Sequence, residues 1–199
     1  MSTAVPASYF DALYSRRDDP WGFESRWYEW RKRALTMASL PRERYETALE
    51  IGCSLGLLTV QLAARCDSVL AVDIARAAVD AARVRTAGLR VRVEHADVAE
   101  GLPAGDFELV VLSEVGYYFA SDGLTRLLDE IESRLTANGT LVACHWRHPV
   151  DDYPLSGDAV HTAIADLGLT RVVSHLEEDF VLEVWTKDGL SVATRTGML

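Results

Sequence analysis

The chain has 199 residues, with 20 Lys and Arg against 30 Asp and Glu, for a formal net charge of −10. That length suits one domain with a sizeable core, and a composition 49% hydrophobic and 25% charged is ordinary for a globular chain. The acidic balance argues against a nucleic-acid backbone as the main partner, because such binding neutralises phosphates with Lys and Arg.

Met1-Ser2-Thr3-Ala4-Val5-Pro6 lacks the basic start and apolar core of a signal peptide. No apolar run reaches the ~18 residues of a membrane span. Three cysteines, at 53, 66 and 144, suggest neither a disulfide framework nor a zinc site. Together these features predict a cytoplasmic protein. Asp18-Asp19-Pro20-Trp21-Gly22-Phe23 reads as a turn before a helix from about Ser25 to Leu40. At ~100° per residue, Trp27, Trp30, Ala34, Leu35, Met37 and Ala38 share one broad apolar arc, with Glu29, Lys32, Arg33 and Thr36 opposite. Arg31 falls inside the arc, where a guanidinium needs an anion. It is read either as a structural ion pair or snorkelling stem, or as a clamp for a ligand carboxylate.

From Tyr45 onward strand-like and helix-like segments alternate, which predicts a mostly parallel sheet. Strands are expected near Thr47–Gly52, Val69–Asp73, Val91–His95, Leu109–Ser113 and Thr140–Trp146, and helices over Leu57–Cys66, Arg76–Arg85 and Asp122–Leu135. The last is the clearest, with Leu124, Leu127, Leu128, Ile131 and Leu135 on one face, Ser121 as N-cap and Asn138-Gly139 as its end. A short helix near Asp158–Leu167 follows. Leu169–Leu176 and Phe180–Thr186 then form a hairpin about Glu177-Glu178-Asp179, and Lys187 to Leu199 reads as a frayed tail. Within this pattern Leu49–Val60 and Asp73 read as strand, nucleotide-cradling turn, helix, strand and ribose-binding acid. The plain alternative is an α/β turn with ordinary glycines. No GxGxxG spacing is present, which argues against a nicotinamide dehydrogenase.

The glycine loop Leu49–Gly56, Asp73, His95-Ala96-Asp97-Val98 and Phe107–Glu114 resemble class I S-adenosylmethionine-dependent methyltransferases. Tyr9–Tyr14, Asp19–Phe23, Tyr28, Arg31, Gly52-Cys53-Ser54, Ala63–Asp67 and Leu112–Val115 are similar to a narrower group, the nodulation-type N-methyltransferases, which methylate the free amine of a de-N-acetylated chitooligosaccharide. Where Ser54 stands, the broader class often has glycine. The resemblance implies an α/β, Rossmann-like doubly wound sheet, mostly parallel with an antiparallel C-terminal hairpin and flanked by helices. Its domain spans residues 45–187, after an N-terminal helical lid (1–44) and before a tail (188–199). It implies S-adenosyl-L-methionine as cofactor. Glu50 would hold the glycine loop or approach the cofactor's amino group. Gly52, Cys53, Ser54 and Gly56 would line the methionine and ribose region, while Asp73 takes the ribose hydroxyls. Ile74, Asp97 and Val98 would meet adenine, and Ser113 the methionine ammonium. Trp21 and Arg31 would close over the methionine end, Arg31 on the carboxylate. A helix N-cap is the structural alternative for Asp97.

Methyl transfer needs a nucleophile's lone pair in line with the methyl carbon, and an amine must first lose a proton. Glu114 is a candidate to bind an ammonium and accept its proton, His145 a candidate base near neutral pH, and Tyr117 the preferred substrate contact. A structural carboxylate, a core histidine bonded to backbone and a core aromatic are their respective alternatives. His148, before Pro149, is read as a loop residue and His161 and His175 as structural, and no metal site is expected. The expected partner is a small acceptor such as an amino sugar or oligosaccharide, without nucleic acid or membrane, for a monomer or homodimer. N-methylation is favoured, with a small-molecule O-methyltransferase or a non-catalytic S-adenosylmethionine-binding regulator as rivals.

Overall fold

The structure, a computed structural model, describes residues 4–199, so Met1 to Thr3 of the N-terminal reading lie outside it. Helices α1 (Ala7–Tyr14) and α2 (Trp27–Ser39) precede strand β1 (Tyr45–Ile51). Next come α3 (Leu57–Ala63), β2 (Cys66–Asp73), α4 (Arg76–Arg85), β3 (Val91–His95) and β4 (Phe107–Ser113). A single 3-10 turn (Gly116–Tyr118) leads to α5 (Ser121–Arg134) and β5 (Leu135–Trp146). Helix α6 (Gly157–Ala165), the hairpin β6 (Thr170–Leu176) and β7 (Phe180–Thr186), and a short α7 (Val192–Arg195) complete the described residues. The expected tail therefore carries a helical turn.

Among the described residues the sheet has seven strands in the order β3-β2-β1-β4-β5-β7-β6. The first five run parallel, and β7 pairs antiparallel with both β5 and β6. Alternation along the strands divides the core. Leu49, Ile51, Val110, Leu112 and Leu141 face α5 and α6; Ala48, Val69, Leu109, Val111 and Val142 face the α2–α3 side. Ala71 and Val93 pack on α4 through Val79 and Ala82. The order reverses between β1 and β4, and there the carboxyl ends of the strands diverge into the crevice where open α/β sheets bind ligands.

Helix α5 buries its expected stripe of Leu124, Leu127, Leu128 and Ile131. Burial of each such side chain contributes roughly 1.5–3 kcal/mol. Its ends differ from expectation. Ala120 is the N-cap and Ser121 lies inside the helix. Asn138-Gly139 does not end it either: the chain turns extended at Leu135, and residues 136–139 bulge where the pairing steps from Phe107–Leu135 to Leu109–Thr140.

Helix α2 reverses its expected orientation. Glu29, Lys32, Arg33 and Thr36 are its buried residues, whereas Trp27 and Trp30 are 69% and 54% exposed. The indoles stack on each other, with centroids 4.9 Å apart. The charged side is inward because it faces the cavity, where Lys32 reaches the carboxylates of Glu29 and Glu114.

Candidate active site

A cavity of about 490 Å³ opens at the carboxyl ends of β1, β2 and β4, roofed by α1, the Trp21 turn and α2. It has the size of a small-molecule site. Its floor begins with the glycine loop. Gly52 has φ +76°, and an added Cβ would sit 2.3 Å from Val115 Cγ2, so only glycine fits. The Gly52 N–H donates to the Val72 carbonyl at 2.8 Å, tying the loop to β2.

Asp73 ends β2 at the cavity wall. Its Oδ2 accepts from the Ser54 N–H at 2.8 Å and its Oδ1 from the Ala75 N–H at 2.9 Å. Each oxygen keeps a lone pair for a further donor. Glu50 is buried beneath the loop and accepts from Thr59 Oγ1, at the start of α3, at 2.5 Å. Burial pushes its pKa up to about 8. Cys53 lines the cavity, and burial raises its thiol well above the ordinary range, so it is no nucleophile. Trp21, Ile74, Asp97, Val98 and Ser113 also line the cavity. No helix follows β3 for Asp97 to cap; it accepts from the Ala99 N–H at 2.9 Å in a turn.

Ser54 and Gly56 stand outside the lining and support the loop from behind. Ser54 adopts φ +47°, and its Oγ lies 2.7 Å from the Tyr14 hydroxyl of α1. At Gly56, a Cβ would lie 3.0 Å from Ala82 Cα, so this glycine lets α3 pack close on α4.

Arg31 is a second correction. Its guanidinium makes a bidentate pair with Glu177 at 2.8 and 2.6 Å and is absent from the cavity wall. The Arg31 hydrogen bonds pull Glu177 down to about 2. Two positions on, Arg33 is buried and lines the cavity, and its Nε has no partner among the described residues. The Tyr28 hydroxyl, also at the wall, is buried and unpartnered likewise. Buried polar atoms left this way are costly unless a ligand completes them.

Glu114 follows β4 with φ +60°, a conformation few non-glycine residues adopt, and also lines the cavity. Its Oε1 accepts from Lys32 Nζ at 2.7 Å, and its Oε2 from the Tyr117 hydroxyl and from the Trp146 N–H at 3.1 Å. Lys32 also reaches Glu29 at 3.1 Å. Burial works against the ammonium, yet the Glu114 and Glu29 carboxylates raise its pKa above the ordinary lysine value. Burial and the Glu114 charge raise Tyr117 well above the usual phenol range, keeping it a hydroxyl donor.

His145 lies elsewhere. It is fully buried, absent from the cavity wall, and accepts the Gly116 N–H on Nε2 at 3.1 Å. Burial, aided by His161, lowers its pKa well below the ordinary value. An imidazole whose acceptor nitrogen is taken by backbone is no general base for a cavity ligand.

The sequence reading missed Lys32, Arg33 and Glu29 as site residues because it assigned their face of α2 to solvent. The available signal was the pairing of that face with two tryptophans that no globular core required. The positions present fit S-adenosylmethionine: Asp73 has capacity for ribose hydroxyls, and the unpartnered Arg33 Nε suits a carboxylate.

Comparison with known proteins identifies relatives of this chain. "Nodulation protein S" from Rhizobium tropici is 31% identical over 103 residues, covering 51% of this chain and 43% of that protein. Its counterpart from Bradyrhizobium diazoefficiens is 30% identical over 103 residues, covering 51% and 49%. The aligned region thus spans about half or less of these curated relatives. A candidate methyltransferase from Pseudomonas syringae is 45% identical, covering 81% of this chain and 99% of that one, with a TM-score of 0.73. The N-methyltransferase NodS from Bradyrhizobium japonicum WM9, solved with S-adenosyl-L-homocysteine, superposes at a TM-score of 0.80 over 92% and 98% of the chains at 23% identity. The pattern that defines the nodulation protein S (NodS) family matches residues 13–153, from the end of α1 through the glycine loop, Asp73 and Glu114 to Tyr153. With that match running through most of the chain, and a Rossmann-like methyltransferase fold beneath it, the chain belongs to the NodS family.

Proposed function

We propose that this chain is an S-adenosylmethionine-dependent N-methyltransferase acting on a small amine such as an amino sugar or a de-N-acetylated chitooligosaccharide. The observation that carries the reading is one cavity with two chemically distinct sets of wall groups. Asp73 and the unpartnered Arg33 Nε are one set, and Glu114 with Tyr117 the other.

At the cofactor end Asp73 accepts from ribose hydroxyls, Arg33 pairs with the methionine carboxylate, and Ser113 offers its carbonyl to the ammonium. Gly52 and Cys53 shape the floor, Glu50 holds the loop through Thr59, and Trp21 covers the turn. Ile74, Asp97 and Val98 take the adenine. When bound, S-adenosylmethionine would supply a methyl carbon on a sulfonium for an amine lone pair to attack, the N–C bond forming as the C–S bond breaks and S-adenosylhomocysteine leaves as the neutral thioether.

At the acceptor end, three of the lone-pair sites of Glu114 are engaged, two of them on Oε2. The free one, on Oε1, holds the substrate ammonium, takes the proton it must lose, and leaves the nitrogen lone pair free to attack. Lys32 and Tyr117 fix the carboxylate, so little reorganisation is needed during reaction. The aromatic wall of Tyr28, Tyr117, Tyr153 and Trp146 suits the apolar face of a sugar ring.

Incubation with methyl-labelled cofactor and panels of amino sugars and phenols tests the proposal. Label in amines is the expected result. Label in phenols alone identifies an O-methyltransferase, and tight cofactor binding without turnover identifies a binding protein. Glu114→Gln should lower turnover by ~10²–10⁴-fold while S-adenosylhomocysteine affinity holds. Unchanged turnover removes Glu114 from the chemistry.

A further inference from the structure

Beneath the acceptor end, three ionisable side chains run in single file through the interior. His145 Nδ1, on β5, lies 3.1 Å from His161 Nε2, on α6, and His161 Nδ1 lies 2.7 Å from Glu183 Oε2, on β7. All three are buried. The outer oxygen of Glu183 accepts from Arg171 at 2.7 Å and from Ser174 at 3.1 Å. At the near end, His145 Nε2 accepts the Gly116 N–H.

Proton positions follow from these partners. A backbone N–H can only donate, so His145 Nε2 carries no hydrogen. The proton of a neutral His145 then sits on Nδ1 and points at His161 Nε2. His161 in turn carries its proton on Nδ1 and donates to Glu183. A carboxylate only accepts, so it gives the file one direction. Reversing either ring would set N–H against N–H at Gly116. Burial holds the His145 pKa well below the ordinary value, which keeps the ring neutral.

The near end governs the tyrosine turn. Gly116 begins that turn, and an added Cβ there would meet Val160 Cγ1 at 2.5 Å and His145 Nε2 at 3.1 Å, so it sits tightly on α6 and the ring. Tyr117 follows, its ring edge-on to His145 with centroids 5.4 Å apart and its hydroxyl on Glu114.

We propose that Glu183, His161 and His145 form a positioning relay, in which an acceptor-only carboxylate fixes both histidine tautomers so that His145 anchors Gly116 and aims Tyr117 and Glu114 at the acceptor. His145 is then a positioning residue. The final link rests on the proposed role of Glu114 and Tyr117; the tautomers and the Gly116 anchor do not.

Long-range proton–nitrogen NMR spectra of the histidine rings test the relay directly. Both rings should carry hydrogen on Nδ1 alone in the wild type; hydrogen on His145 Nε2 would overturn the inference. Glu183→Gln can donate as well as accept, so it should mix the tautomers and speed hydrogen exchange at Gly116. It should also lower kcat on the order of ten- to a hundred-fold, with S-adenosylhomocysteine affinity unchanged. His145→Phe should lose the anchor, and His145→Gln, whose carbonyl can accept from Gly116, should restore much of the rate and the exchange protection. Mixed tautomers with unchanged kcat would sever the relay from the acceptor site. Unchanged tautomers in Glu183→Gln would show that the carboxylate does not set them. Should the wild type methylate no amine, the proposed function falls, while ring spectra and Gly116 exchange still decide the relay.

Discussion

Helices α2 and α5 are both amphipathic, yet they bury opposite kinds of face. Helix α5 turns Leu124, Leu127, Leu128 and Ile131 inward and leaves its charges to solvent. Helix α2 turns Glu29, Lys32 and Arg33 inward and leaves Trp27 and Trp30 outside. The difference lies in what each helix packs against. Helix α5 lies on a closed apolar sheet face, where an unpaired charge would be prohibitive. Helix α2 roofs the cavity, where Glu114 stands 2.7 Å from Lys32 and makes the charged face the compatible one. Amphipathicity tells that a helix has two sides; the neighbour decides which is inside.

The largest effects should come from each helix's own buried contact. Lys32→Met leaves Glu29 and Glu114 without their cation and should cost about 3–5 kcal/mol of stability. That loss should shrink at acid pH, where the stranded carboxylates take up protons. Leu128→Ala should cost ~2–5 kcal/mol through a cavity, with no such pH dependence. Denaturant titrations at several pH values separate the two. Equal pH profiles would mean that α2 is held by apolar contacts after all.

Glu50 offers the next test on the cavity side. Folding raises its pKa from an ordinary glutamate value to about 8, so between those pH values the folded state holds a proton that the unfolded state has released. Stability should therefore fall as pH rises through that window, by at most ~1.4 kcal/mol per pH unit, and level off above it. Glu50→Gln keeps an acceptor for Thr59 and removes the titration. Its urea midpoint should gain on the wild type between pH 5 and pH 8, and parallel curves would contradict the buried acid.

Arg31 and Arg33 sharpen the comparison within α2. Arg33→Met should weaken S-adenosylhomocysteine binding by roughly 1.5–3 kcal/mol, the range for hydrogen bonds to charged groups, with little change in stability. Arg31→Met should leave affinity intact and cost little stability, since its pair with Glu177 is partly exposed. Calorimetry giving the reverse order would restore Arg31 as the clamp. The smallest effect belongs to the tryptophans. Replacing both Trp27 and Trp30 by Ser should move stability by no more than ~0.5 kcal/mol each, as for exposed positions elsewhere. A large loss would show that this face is covered.

Where one pattern has one compatible environment, the sequence is readable. Strands Val91–His95 and Phe180–Thr186 and helix Arg76–Arg85 match their expected bounds residue for residue, because strand alternation and helical spacing bounded by turn signals have few alternatives. The glycine loop and Asp73 were legible too, since their spacing follows from the strand–turn–helix–strand path. Glu114 and Tyr117 were legible as a strand end. By contrast, Asn138-Gly139 looked like a helix end and forms a bulge, because local turn chemistry does not reveal when pairing with β4 begins.

The sequence by itself determined the fold class, the order of the helices and strands from α2 to β7 and the position of the nucleotide-type loop, all of which depend on local periodicity and chain order. Only the tertiary structure decided that α2 faces the cavity with its charges, that Arg33 rather than Arg31 stands at the wall, and that His145 is spent on Gly116. Those outcomes depend on partners distant in the chain: Glu114 for Lys32, Glu177 for Arg31, His161 and Glu183 for His145. A buried charge or imidazole takes its role from the groups that offset its desolvation, and chain spacing carries no record of which groups those are.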